Sequence, residues 1–217
     1  MSALSLELIY RRFYRSYGPQ RWWPARSALE MILGAILTQN TAWSNVEKSI
    51  RSLRERGLLT LKALDKVSLR TLEGAVRSSG FFKVKARRIK SFLRYLEIHH
   101  ALRLASFLKR PADRLRRELL AIHGIGPETA DSIILYGAGK PVFVIDAYTR
   151  RIFRRLGLLN GNEDYETIRG FFEEKLPRRR ALFNEFHALI VHHGKAHCRK
   201  KPLCVSCPVN DVCPKLI

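Results

Sequence analysis

Apolar positions recur at helical spacing along almost the entire chain. Residues 28–38 are apolar and rich in good helix formers. Residues 45–56 place Val46, Ile50 and Leu53 on one face, with Gly57 after them as a C-cap. Residues 69–78 repeat this through Leu72, Ala75 and Val76, and residues 85–98 through Ile89, Phe92, Leu93 and Leu96. Further helices are predicted over 112–122, 127–137, 147–156, 164–174 and 180–192. The one strand-like run is 142–145, too short to imply a sheet. Loops are short, and no fixed repeat or low-complexity stretch interrupts the pattern. It predicts an all-α fold of about ten short helices, with no composition shift to mark a domain boundary before the cysteine-rich end.

The chain has 217 residues, 46% of them hydrophobic, enough to build a core in one large domain or two small ones. Lys and Arg number 40 against 19 Asp and Glu, a formal net charge of +21. A surplus of that size repels itself in a compact state unless a polyanion relieves it. Nucleic acid is the expected partner. An anionic membrane surface is the rival, but the basic residues are scattered rather than gathered in a tail. No apolar run reaches the ~18 residues of a membrane span either. The N-terminal stretch mixes Glu7 and several Arg with apolar positions and lacks the core of a signal peptide. A cytoplasmic protein, associated with the nucleoid and not with a membrane, is expected, its cysteines reduced or metal-bound.

Three local features carry chemistry. The first is the turn Gly124-Ile125-Gly126, which joins one helix to another that starts at Pro127, a residue suited to a first helical turn. Its glycines keep side chains off the backbone N–H groups beside a helix N-terminus, a place that favours an anion such as a DNA phosphate. An ordinary helix–helix turn is the plainer reading. The second is Asp146, just before a predicted helix: either an N-cap or a carboxylate placed for catalysis, or both. The third is Cys198, Cys204, Cys207 and Cys213, spaced C-x5-C-x2-C-x5-C. Four thiols so close indicate metal rather than disulfides. Zinc sites usually carry two short pairs, and here only Cys204 and Cys207 form one, so spacing leaves zinc and an iron–sulfur cluster both open.

The run from Gly124 to Ala130, followed by Val144-Ile145-Asp146-Ala147-Tyr148-Thr149-Arg150-Arg151, resembles the helix–hairpin–helix, Gly/Pro-rich loop and aspartate of the endonuclease III superfamily of DNA glycosylases. Ile36-Leu37-Thr38-Gln39-Asn40-Thr41, Gly80-Phe81-Phe82-Lys83-Val84-Lys85-Ala86 and His193-Gly194-Lys195 extend the likeness over almost the entire chain. The resemblance implies two helical domains with the DNA groove between them. Residues 25–140 would form a six-helix barrel with the hairpin, and residues 1–24 with 141–217 an iron–sulfur domain. It also implies that Asp146 is catalytic, that Gln39 and Asn40 fill the gap left by a flipped base, and that Gly124, Ile125, Gly126 and Thr129 contact the DNA backbone. The four cysteines would hold a [4Fe–4S] cluster, although the first loop is one residue shorter than the usual six. The charged loop Arg199-Lys200-Lys201-Pro202-Leu203 would then be a pinned phosphate clamp.

One departure is informative. Family members that also cut the DNA backbone carry a lysine where this chain has Glu128, and a carboxylate cannot form the Schiff base. The chain therefore resembles a monofunctional enzyme that uses water. Trp22, Trp23 and Trp43 are either core residues or an aromatic pocket for an extruded base. Trp22-Trp23-Pro24 together with Leu37-Thr38-Gln39-Asn40-Thr41-Ala42-Trp43 is similar to the 3-methyladenine glycosylase branch. The expectation is a monomeric hydrolase acting on duplex DNA that carries a damaged base, such as an alkylated purine. The alternatives are a glycosylase–lyase for oxidised pyrimidines or mismatches, and a non-catalytic binder of damaged or structured DNA.

Overall fold

The computed structural model describes residues 4–216. The helices are α1 (Leu6–Tyr17), α2 (Ala28–Leu37), α3 (Trp43–Glu55), α4 (Leu61–Lys66), α5 (Leu69–Ala75), α6 (Phe82–His100), α7 (Leu104–Leu108), α8 (Ala112–Leu120), α9 (Pro127–Ser132), α10 (Ala147–Arg155), α11 (Tyr165–Lys175) and α12 (Arg180–Ala196). No strand occurs among the described residues. Several starts are set by side-chain caps: Ser5, Ser27, Thr60, Ser68, Asp146 and Asp164 each accept from the N–H three residues on. The chain divides into two compact units, one of residues 23–140 and one of residues 1–22 with 141–217. Trp23 and Pro24 belong to the first and Trp22 to the second.

The unit of residues 23–140 is built around α2, whose residues from Leu29 to Leu37 are all buried. Helices α3, α6 and α9 pack on it. Gly34 lets the Trp23 ring lie against the helix, since a Cβ there would stand 3.2 Å from the indole. Helices α8 and α9 flank the glycine turn and are tied by Arg116, whose Nε donates at 2.7 Å to the fully buried Asp131. The predicted helix over 127–137 is not uniform: after Ser132 the chain widens into a π-turn, Ile133–Gly137.

The other unit packs α1 and α10 against α12. Its core is aromatic. Phe143 stacks on Phe172 at 4.3 Å, and Phe153 meets Phe172 edge-on at 4.7 Å. The strand-like run 142–145 is buried but pairs with no strand. Side chains satisfy its backbone instead: Phe143 N–H donates to Glu173 at 2.8 Å and Ile145 N–H to the Tyr165 hydroxyl at 3.3 Å. Its apolar character reflects burial of a connector, not sheet pairing.

Candidate active site

Asp146 caps α10 with extended backbone, φ −110° and ψ −178°. Its Oδ1 accepts from both the N–H and the hydroxyl of Thr149, at 2.7 and 2.9 Å. The other oxygen, Oδ2, lies 3.7 Å from Nε2 of His187, which α12 carries inward. Burial pushes the His187 ring below the usual histidine range, with the Asp146 charge opposing, so the imidazole is neutral near pH 7. Capping and chemistry are compatible roles for this aspartate, because they fall on different oxygens.

In the unit of residues 23–140 the end of α2 leads into a tight turn at 38–41. Gln39 points inward there. Its Nε2 donates to Gly124 O at 3.1 Å and to Thr129 Oγ1 at 2.9 Å, while its Oε1 accepts from Arg88. The glutamine thus ties the turn to the hairpin. Asn40 forms the tip, exposed and left-handed at φ 53°. Beneath it Lys85 is 1% exposed and donates to Leu37 O at 2.8 Å, Thr41 Oγ1 at 2.5 Å and Ser79 O at 2.6 Å. Burial, with Arg88 adding, lowers the Lys85 pKa to about 8. These bonds join the 38–41 turn to the turn that carries Phe81. That ring is 72% exposed on a left-handed residue, φ 45°. A large exposed aromatic in a strained conformation is a functional signal that the sequence motif did not disclose.

The hairpin needs Gly124 for two reasons. Its φ is 88°, and a Cβ would collide with Arg88 Cγ at 2.3 Å. Gly126 is extended and exposed, and a Cβ there would meet nothing within 4 Å. Ile125 and Thr129 turn inward: the Ile125 side chain is buried and its N–H donates to Ile122 O, while Thr129 is buried with its hydroxyl on Gln39. Glu128 is exposed in the first turn of α9. Trp23 and Trp43 meet edge-to-face at 5.0 Å. They line an open cleft of about 750 Å³, solvent space included, together with Glu30, Glu47, Arg51 and Arg54. Trp22 does not line that cleft.

None of the four cysteines is in a disulfide, and all four line one cavity of about 420 Å³, solvent space included. Arg155 of α10 reaches into it, with Nη1 3.4 Å from Cys198 Sγ and further bonds to Arg199 O and Lys200 O. On another wall His193 Nε2 lies 3.9 Å from Cys207 Sγ, and Tyr17 holds His193 Nδ1 at 2.7 Å. Burial drives the His193 pKa down to about 3. Among the described residues no three Cys, His, Asp or Glu side chains are drawn together closely enough to hold a single metal ion.

Residues 33–178, two thirds of the chain, match the family model of the HhH-GPD superfamily base excision DNA repair proteins. The chain belongs to this superfamily. It is a DNA glycosylase of base excision repair. A protein of Methanocaldococcus jannaschii, provisionally named a DNA repair glycosylase, is 42% identical over 94% of both chains. Endonuclease III of Sulfolobus acidocaldarius is 31% identical over 87% of this chain and 82% of its own. Among solved structures, the H. pylori 3-methyladenine DNA glycosylase bound to 1,N6-ethenoadenine superposes with a TM-score of 0.78 at 28% identity, covering 88% of this chain and 98% of that one. An endonuclease III in a non-covalent DNA complex superposes at 0.84 and 22% identity, covering 97% and 94%, a likeness of fold. The family match takes in Gln39, the hairpin, Glu128 and Asp146. The glycosylase's cysteines and His187 lie beyond it. No helix among the described residues is long and apolar enough to cross a membrane.

Proposed function

We propose that this glycosylase is monofunctional and removes an alkylated purine, of which 3-methyladenine is the type, from duplex DNA. The observation that carries the mechanism is the divided carboxylate of Asp146: Oδ1 is fixed by Thr149, which leaves Oδ2 to face a substrate. Breaking the base–sugar bond builds positive charge on the sugar, and a carboxylate held nearby stabilises it or orients the attacking water. Water adds its hydroxyl to C1′, its proton goes to the departing base or solvent, and an abasic site remains. Glu128 supplies no amine. Lys85, the buried lysine with a lowered pKa, is committed to three oxygen acceptors and is not a displaced nucleophile.

The cleft beside Trp23 and Trp43 supports the substrate class. Electron-rich rings favour a cationic base by about 0.5–2 kcal/mol, and alkylation makes a purine both cationic and a good leaving group. The likeness to the H. pylori enzyme points the same way. Asn40 and Phe81, at the tips of two turns joined through Lys85, are suited to fill the stack around the vacated position. Gly124, Gly126 and the Arg199-Lys200-Lys201 loop are suited to phosphates. The four cysteines fit a [4Fe–4S] cluster: their thiols ring one cavity without converging on a single-ion geometry, and the Arg155 guanidinium is placed to offset thiolate charge. Such a cluster would supply a rigid anchor for the basic loop. Four irons and four sulfides per chain on chemical analysis are expected.

The test is single-turnover cleavage of duplexes carrying 3-methyladenine, 7-methylguanine, hypoxanthine, uracil, thymine glycol or 8-oxoguanine, with and without alkali, repeated with Asp146→Asn. Alkali-dependent breaks at the methylated purines, slowed on the order of a hundredfold or more in the variant, are expected, and borohydride should trap no adduct. Breaks at an oxidised base would change the substrate, efficient trapping would restore lyase chemistry, and tight binding without breaks would make the chain a binder.

A further inference from the structure

The apolar face of α12 buries Phe183, Phe186, Leu189 and Ile190, and a histidine stands among them. The His187 side chain is only 7% exposed, and its Nε2 is aimed at the Asp146 oxygen that the helix cap does not use, at 3.7 Å. A polar ring does not stay in an apolar layer without a polar counterpart. The Asp146 oxygen is the polar group that Nε2 faces. At 3.7 Å the pair stands slightly beyond hydrogen-bond reach, and catalytic contacts of this kind tighten when substrate closes the site.

We propose that His187 is a positioning residue for base excision: through Nε2–H it orients Oδ2 of Asp146 and directs that oxygen at the sugar. This rests on the reading of Asp146 as the catalytic carboxylate. Thr149 and His187 then hold one oxygen each, and the carboxylate plane is fixed from α10 and α12 together. A lone cap would fix only Oδ1 and leave the plane to rotate.

The three variants His187→Leu, His187→Gln and His187→Asn separate this role from simple packing. Leu fills the space but donates nothing. Gln brings an amide nitrogen near the place of Nε2, whereas Asn reaches only as far as Nδ1. On whichever duplex the wild type cleaves, His187→Leu is expected to slow single-turnover excision about tenfold to a hundredfold, the range for a misplaced catalytic group, with the dissociation constant for DNA unchanged. Gln should restore the rate to within a few-fold, and Asn should not. Combined with Asp146→Asn, His187→Leu should cause no further slowing. A wild-type rate in His187→Leu, equal rates in Gln and Asn, or a full additive loss in the double variant would overturn the proposal while leaving Asp146 catalytic. If Leu does not fold, the Gln–Asn comparison decides. Full activity in Asp146→Asn alone would remove the reading on which the proposal depends, and the proposal with it.

Discussion

Lys85 gives the fold a pH dependence of unusual sign. The ordinary lysine value is 10.5 and burial lowers it here to about 8. At about 1.4 kcal/mol for each tenfold change in proton affinity, holding the ammonium in the folded chain costs about 3 kcal/mol. Below pH 8 the group is charged in both folded and unfolded chains, so that cost is fully present. Between pH 8 and 10.5 the unfolded chain still binds a proton that the folded chain has released, and stability from this group rises with pH. Above 10.5 neither state holds the proton and the cost is gone. Lys85→Met removes the titration. Urea unfolding of wild type and variant, followed by circular dichroism from about pH 7.5 to 10.5, isolates this one group, because the other lysines and tyrosines cancel in the difference. The wild type should gain about 3 kcal/mol relative to Lys85→Met across that interval. Parallel curves would show that the ammonium keeps its proton, satisfied by Leu37 O, Thr41 Oγ1 and Ser79 O, and would refute the lowered value.

Two other outcomes test the DNA-facing surfaces. Phe81→Gly should stay within about 1 kcal/mol of wild-type stability or exceed it, since it relieves a left-handed residue whose ring is 72% exposed, yet excision should fall at least about tenfold; unchanged excision would make Phe81 a bystander. Replacing Arg199, Lys200 and Lys201 together by Gln should reduce the slope of log binding constant against log salt by up to about 2–3, roughly 0.9 for each phosphate no longer neutralised; an unchanged slope would show that the loop does not touch the backbone.

How far the sequence discloses this molecule depends on whether a feature is local. Helices α3, α5, α6 and α8 to α12 stand out because their apolar faces recur at helical spacing, and α2 because it is apolar throughout, whereas the two short helices α4 and α7 bury too few residues to form a period. The run 142–145 looks like a strand because periodicity registers burial, and only the structure shows that Glu173 and Tyr165 take its backbone donors. The glycine turn, Asp146 and the cysteines are legible as short patterns. Pairings across long separations are not. The motif resemblance makes Gln39 a gap-filling residue, but nothing in it shows that Arg88, 49 positions away, and Gly124, 85 positions away, bond its side chain. Asn40 and Phe81, the exposed residues that Lys85 joins beneath the surface, stand with Gln39 as candidates for the vacated position. His187 is hidden for the same reason: on α12 it is one polar residue in an apolar face, and its meaning comes from an aspartate 41 positions earlier in the chain. A motif search finds the carboxylate. What aims the carboxylate is a contact between helices, and that is where changes in excision rate without changes in binding should be sought.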